Sequence, residues 1–175
     1  MKRIIELGII LMTFCVISAA ALSLVYLFTK PTIELYSQRA FEKSLREVVP
    51  AAHSFTEINK KGMVFYQGMV NGIATGAAFS VTSQGYSGKI ELMVGVDLNG
   101  KVAGIKILNQ RETPGLGANV IKPVFLKQFI QKSLQDPIEP KKDIDAITGA
   151  TISTRAVCRG AKSALDAYQT VRDKK

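Results

Sequence analysis

The sequence predicts an α+β fold: a mostly antiparallel sheet of hairpins packed with helices, preceded by one N-terminal transmembrane helix. Three observations predict it. An uncharged apolar run extends from Leu7 to Phe28. Two pairs of apolar segments are joined by turn-forming residues, and the C-terminal stretch repeats apolar residues at helical spacing.

The run from Leu7 to Phe28 is 22 residues without a charge. As a helix it covers roughly 33 Å, enough for a hydrocarbon core of about 30 Å. A helix suits that phase because it satisfies its own backbone polar groups. The competing reading is a cleaved secretory signal, with Ala19-Ala20-Ala21 as its small-residue site. The apolar run continues through Leu22, Leu24, Val25, Leu27 and Phe28, which favours a retained anchor over residues 1–30. Lys2 and Arg3 argue for a cytoplasmic N-terminus, yet Lys30, Arg39, Lys43 and Arg46 follow the anchor, so charge alone leaves the side open.

Ile33, Tyr36, Ala40, Phe41, Leu45 and Val48 fall near helical spacing and predict an amphipathic linker helix over 31–50, ending before Pro50. A domain over 51–175 follows. In it Val64–Val70 meets Ile73–Thr82 through Asn71-Gly72, and Ile90–Val96 meets Lys101–Leu108 through Asp97-Leu98-Asn99-Gly100. Asn-Gly supplies the positive φ angles of tight hairpins. These pairs predict a sheet of four or more strands. Residues 109–120 read as a polar, Gly-rich loop, and Lys122 to Leu134 as a helix with Pro123 in its first turn. Val157, Ala161, Ala164, Leu165, Tyr168 and Val171 then mark one apolar face of a terminal helix.

Composition excludes several chemistries. Two cysteines and one histidine, His53, leave no Cys₄ zinc site, CxxCH haem attachment or all-Cys iron–sulfur cluster, so no metal site is expected. Cys15 lies in the predicted span and Cys158 in the terminal helix, so they do not pair. The net charge is +9; residues 1–30 hold three basic residues and one acidic, which leaves +7 on the rest. Basic residues are scattered with no interleaved aromatics, which argues against nucleic acid.

The informative stretch is Asp145-Ala146-Ile147-Thr148-Gly149-Ala150-Thr151, directly before the last helix. It places hydroxyls at a helix N-terminus, where unpaired N–H groups and the dipole favour a phosphate. The plainer alternative is that Thr151 or Ser153 only caps the helix. A second stretch, Glu112-Thr113-Pro114-Gly115-Leu116-Gly117, lies upstream; the plainer reading there is a connecting loop. Gly115-Leu116-Gly117-Ala118-Asn119-Val120 lacks the third glycine and the βαβ setting of a dinucleotide fingerprint.

Together DAITGAT and ETPGLG resemble the two motifs of the FMN-binding domain family, over residues 86–160, with an N-terminal anchor of the same kind. The resemblance implies FMN bound covalently through a phosphoester to Thr151. It makes Asp145, Thr148, Gly149 and Ala150 the rest of the flavinylation motif, and Glu112, Thr113, Pro114, Gly115, Leu116 and Gly117 the flavin-facing loop. Serine is commoner in the family where Thr148 stands, and Thr148, Ser153 and Thr154 remain lesser candidates for the attachment point. The resemblance further implies a separate Mg-dependent flavin transferase that uses FAD as donor. It implies an electron carrier with no catalytic residue of its own, within an Rnf-type ion-translocating ferredoxin:NAD oxidoreductase complex. There it partners other membrane and redox subunits, in the inner membrane, single-pass, with the N-terminus cytoplasmic and the flavin domain extracytoplasmic. The related alternatives are a component like the C subunit of a sodium-translocating NADH:quinone reductase and another extracytoplasmic flavin relay. A non-redox alternative is a basic membrane-anchored binding module. Tyr86, between Gly85 and Ser87, could stack on a flavin or serve a turn or the core.

Overall fold

The computed structural model describes residues 2–60 and 62–172; Met1 of the predicted anchor and residues 173–175 of the predicted domain lie outside the described residues. The chain divides into two compact units, Met1–Phe41 and Glu42–Lys175. The secondary structure begins with helix α1, Lys2–Val48.

In the first unit every described side chain up to Ala40 is exposed, and the window of highest mean hydropathy, 2.4, marks a helix long and apolar enough to cross a membrane. Two of its hydroxyls turn inward: Thr13 donates to the Ile9 carbonyl at 2.8 Å and Thr29 to the Val25 carbonyl at 2.7 Å. That internal pairing spares them an unsatisfied hydroxyl in an apolar phase. The sequence separates an anchor over 1–30 from a linker helix over 31–50, whereas the backbone is one helix with Pro31 inside it. Proline forfeits a single donor, the one directed at the carbonyl four residues back, while the turns on either side keep theirs.

The second unit begins at Glu42 rather than at residue 51 because Ser44, Leu45, Val48 and Val49 are buried in it. Its sheet comprises β1 (Ser54–Lys60), β2 (Met63–Val70), β3 (Ile73–Gln84), β4 (Lys89–Asp97) and β5 (Val102–Asn109), antiparallel in the order β1-β2-β3-β4-β5. Four strands are those the sequence predicts; β1 is additional. Asn71 and Gly72 both have positive φ, 51° and 79°, as a two-residue hairpin turn of their type requires. The final helix α3, Thr151–Arg172, lies against β3 and β4. Ile90, Leu92, Val94 and Val96 of β4 join Val157, Ala161, Ala164 and Leu165 of α3 in one buried core.

The other face of the sheet receives the end of α1. Gly68 and Gly76 are register partners across β2 and β3, and Gly95 and Gly104 across β4 and β5. A Cβ on Gly95 would fall on the Val48 carbonyl, and one on Gly104 would lie 2.6 Å from the Val48 Cα. A Cβ on Gly68 would lie 2.7 Å from that of Ala52. The missing side chains form a trench into which Val48, Val49 and Ala52 settle, backbone against backbone.

The helix predicted over Lys122 to Leu134 is not continuous. A single turn, α2 (Pro123–Leu126), passes into a 3₁₀ turn (Lys127–Phe129), which buries Phe125 and Phe129 edge-to-face at 5.4 Å. Gln131 then enters the left-handed region at φ 68°. The cause is pairing with the sheet: Gln131 N–H donates to the Val102 carbonyl and Val102 N–H to the Lys132 carbonyl, each at 2.8 Å. These bonds cover the start of β5 and leave no room for another helical turn. Beyond them, Asp143 accepts from the Ile138 and Glu139 N–H groups and pairs with Lys132 at 2.9 Å.

Two outcomes test this packing. Gly95→Ala is expected to lower the melting temperature, at a cost of about 1–3 kcal/mol for forced overpacking. Gly88→Ala, whose Cβ would meet only the Arg111 Cβ at 4.0 Å, should leave the melt nearly unchanged. Burial pushes the Asp143 carboxyl up, but the Glu139 N–H, Lys132 and the Ile138 N–H outweigh it and hold the group below its ordinary value. Ionised Asp143 thus stabilises the fold above its unfolded pKa of about 3.9, and the contribution disappears as pH falls through the lower folded value. Asp143→Ala should therefore cost about 2 kcal/mol at neutral pH and shrink that acid-dependent loss, as measured by denaturant melts across pH.

Candidate functional site

Three segments converge beyond the C-terminal end of β5 and the N-terminal end of α3. The first is the loop after β5. Thr113-Pro114-Gly115-Leu116 closes a turn in which the Leu116 N–H donates to the Thr113 carbonyl at 3.2 Å. Pro114 presets the second position, and Gly115, at φ 78°, supplies the left-handed third one, the pattern of a type II turn. Asn119 Nδ2 locks the loop by donating to the Gly115 carbonyl at 2.8 Å.

The second segment is the turn before α3. Ala150 N–H donates to the Ile147 carbonyl at 2.9 Å, with Gly149 at φ 74° in the corresponding position. Thr154 secures the junction: its hydroxyl donates to the Ala150 carbonyl at 3.0 Å and accepts the Ile147 N–H at 3.2 Å. Ser153, which the sequence offers as a cap, directs its hydroxyl to Glu112 instead. The third segment is the β3–β4 connection, where Gly85 N–H donates to the Gly88 carbonyl at 2.8 Å and Tyr86 stands at the tip.

Glu112 joins all three. It is only 4% exposed; one carboxylate oxygen accepts the Ser87 N–H at 3.0 Å, and the other accepts the Tyr86 N–H at 3.3 Å and the Ser153 hydroxyl. Gly117 makes the approach possible, since a Cβ there would lie 2.6 Å from Ser153 Oγ and 2.8 Å from the Glu112 Cβ.

The result is a pocket of about 550 Å³ lined by Tyr86, Glu112, Thr113, Leu116, Gly117, Gly149, Ala150, Thr151, Ile152 and Ser153. Seven of the residues singled out in the two motifs meet there. Pro114 and Gly115 shape its wall without lining it, while Asp145 and Thr148 lie exposed outside the lining. The Asp145 N–H is held by Gln128 Oε1 at 2.7 Å. The alternative attachment residues Ser153 and Thr154 are 2% and 0% exposed with their hydroxyls engaged. Thr151 is half-buried and, among the described residues, its hydroxyl is in no such bond. Sequence reasoning does not mark Ile152 and Ser153 as lining residues, although their place one and two positions beyond Thr151 is a signal. Tyr86 belongs to an exposed tip rather than to the core.

Size, an apolar mouth, small residues in the lining and a hydroxyl at the N-terminus of a 22-residue helix fit a flavin mononucleotide. The described residues hold no cluster of metal-ligating side chains. Cys158 is buried on the core side of α3, where burial pushes its thiol up to about 12 and disfavours the thiolate at neutral pH.

Comparison with known proteins bears on both units. Residues 85–166 match the FMN-binding domain family and residues 1–48 the RnfG N-terminal region. The G subunit of the proton-translocating ferredoxin:NAD(+) oxidoreductase complex of Clostridium ljungdahlii is 34% identical over 161 residues, covering 89% of this chain and 86% of that protein. The G subunit of the Na(+)-translocating ferredoxin:NAD(+) oxidoreductase complex of Acetobacterium woodii is 29% identical over 195 residues, covering 97% and 94%. Among solved structures, Shewanella oneidensis NqrC shares the fold at a TM-score of 0.51 and 20% identity, over 70% of this chain and 67% of that one.

Gly117→Ala should separate Glu112 from Ser153 and lower the melting temperature, with about 1–3 kcal/mol lost to overpacking. An unchanged melt would show that the loop has slack the structure does not suggest.

Proposed function

The chain belongs to the RnfG family, the G subunits of ion-translocating ferredoxin:NAD(+) oxidoreductase complexes, and from that premise we propose that it is a membrane-anchored electron carrier with FMN esterified to Thr151. One observation supports the choice of residue above the others. Of the hydroxyls at the start of α3 and in the turn before it (Thr148, Thr151, Ser153 and Thr154), Thr151 alone both lines the pocket and is left unengaged among the described residues. Thr148 stands outside the lining, and Ser153 and Thr154 are buried and bonded.

Attachment is a group transfer with FAD as donor. The Thr151 Oγ–phosphorus bond forms, the FAD pyrophosphate bond breaks, AMP leaves, and the hydroxyl proton is released. Nothing lining the pocket could serve as base except Glu112, and both its oxygens are occupied, so activation of the alcohol falls to a visiting flavin transferase. Exposed Asp145 and Thr148 are suited to recognition by that enzyme, and Gly149 and Ala150 let it approach closely. Once formed, the ester holds its phosphate at the positive end of α3. Leu116 and Ile152 keep water from the ring, while Thr113, Pro114, Gly115 and Gly117 shape the wall.

FMN supplies reversible electron chemistry, and a tethered carrier that exchanges electrons with partners needs no substrate site. The complex would be ferredoxin:NAD-linked rather than of the NADH:quinone reductase kind, because the G-subunit relatives cover most of the chain, while the likeness to NqrC is one of fold. Ion translocation belongs to the other members of the complex: the stretch from Leu7 to Phe28 carries no acid or base to relay a charge. We place the N-terminus in the cytoplasm and the flavin domain outside the cell membrane, as membership of the family implies.

The test is flavin fluorescence on a denaturing gel after co-expression with a transferase. The unaltered chain should give a fluorescent band, Thr151→Ala none, and Thr151→Ser a restored one, with the fold unchanged by circular dichroism. A band undiminished in Thr151→Ala would move the linkage elsewhere. No band in the unaltered chain would favour the non-redox module.

A further inference from the structure

We propose that Tyr86 closes the pocket by stacking on the isoalloxazine ring, and that buried Glu112 is the residue that positions it. This rests on the reading of Thr151 as the attachment point. Three large apolar side chains stand exposed around one pocket: Tyr86 at 70%, Leu116 at 46% and Ile152 at 45%. Single exposed apolar residues are ordinary, but three around a cavity that ends in a helix N-terminus mark a surface that a ligand covers. Tyr86 is the one aromatic side chain in that lining, and so the one able to offer a flat face to a planar heterocycle.

An exposed turn tip is ordinarily mobile, but this one is braced on both sides. Within it, Gly85 N–H donates to the Gly88 carbonyl. From α3, the Arg159 guanidinium donates to the Gln84 carbonyl at 2.6 Å. From beneath, Glu112 accepts the N–H groups of Tyr86 and Ser87 in succession, and a Cβ on Gly85 would collide with its carboxylate. The same carboxylate accepts the hydroxyl of Ser153, two residues beyond Thr151. One buried group therefore fixes the tyrosine-bearing turn to the start of the helix that carries the tether. Holding a stacking side chain in position before the ring arrives removes the entropy cost of ordering it.

Stacking has a spectroscopic signature. A phenol in contact with an excited flavin gives it one electron, which then returns, so emission is quenched with no net chemical change. The experiment is time-resolved flavin fluorescence of the full chain matured with its transferase, with the denaturing-gel band as the measure of flavin content. The unaltered chain should show a dominant short lifetime. Tyr86→Leu should keep the band and lengthen the lifetime several-fold. Tyr86→Phe should also lengthen it, since phenylalanine is a poor donor, while keeping the ring less accessible to iodide than the leucine variant does. Glu112→Ala should lengthen the lifetime as Tyr86→Leu does, and Glu112→Gln, which still offers an acceptor to the turn, should recover much of the quenching. Equal lifetimes for Glu112→Ala and the unaltered chain would overturn the positioning role.

A band in Tyr86→Leu with an unchanged lifetime would overturn the stacking role alone. Absence of a band from the unaltered chain would overturn the Thr151 linkage and this assignment with it.

Discussion

A single buried carboxylate organises the candidate site. Glu112 has no cation to answer it among the hydrogen bonds it makes; instead it accepts two backbone N–H groups and one hydroxyl from segments far apart in sequence. Hydrogen bonds to a charged acceptor are stronger than neutral ones, and losing one partner of a buried group leaves the rest to bear the desolvation. The loop after β5, the β3–β4 turn and the start of α3 consequently hold one another in place. The pocket is the space they enclose.

The two motifs then read as backbone rules rather than as rosters of contact residues. Pro114 and Gly115 set one tight turn, Gly149 sets another, and Gly117 makes way for the carboxylate. What remains for chemistry is small: one hydroxyl, an apolar rim and the field of a helix end. That economy would suit the fastened cofactor proposed for Thr151, since an ester would do the work that a deep cavity with many polar contacts otherwise performs.

Much of this was legible in the sequence, and the reason lies in where the physics is local. The hairpin at Asn71-Gly72 depends on two residues that tolerate positive φ, and α3 on one apolar stripe; both are written in adjacent letters. The stretch from Lys122 to Leu134 has an equally helical pattern, but two hydrogen bonds with Val102 at the edge of the sheet, one donated and one accepted by it, outbid it. Strand β1 hid because Ser54–Lys60 is largely polar and only part-buried, and so alternates weakly. Likewise the motif residues could be picked out, whereas the roles of Glu112 and Ser153 could not. A glutamate and a serine 41 positions apart carry no mark of their meeting.

The glycine trench has a consequence for the order in which the molecule comes together. Val48 is synthesised before any of the strands it rests on, and its neighbours Gly95 and Gly104 come 47 and 56 positions later. The last turns of α1 therefore find their seat only when β4 and β5 have paired, a nonlocal closure of the kind that slows acquisition of the native state. Until then one face of the nascent sheet lies bare, with backbone where side chains would normally shield it, and the final clasp comes from a segment already emerged from the ribosome.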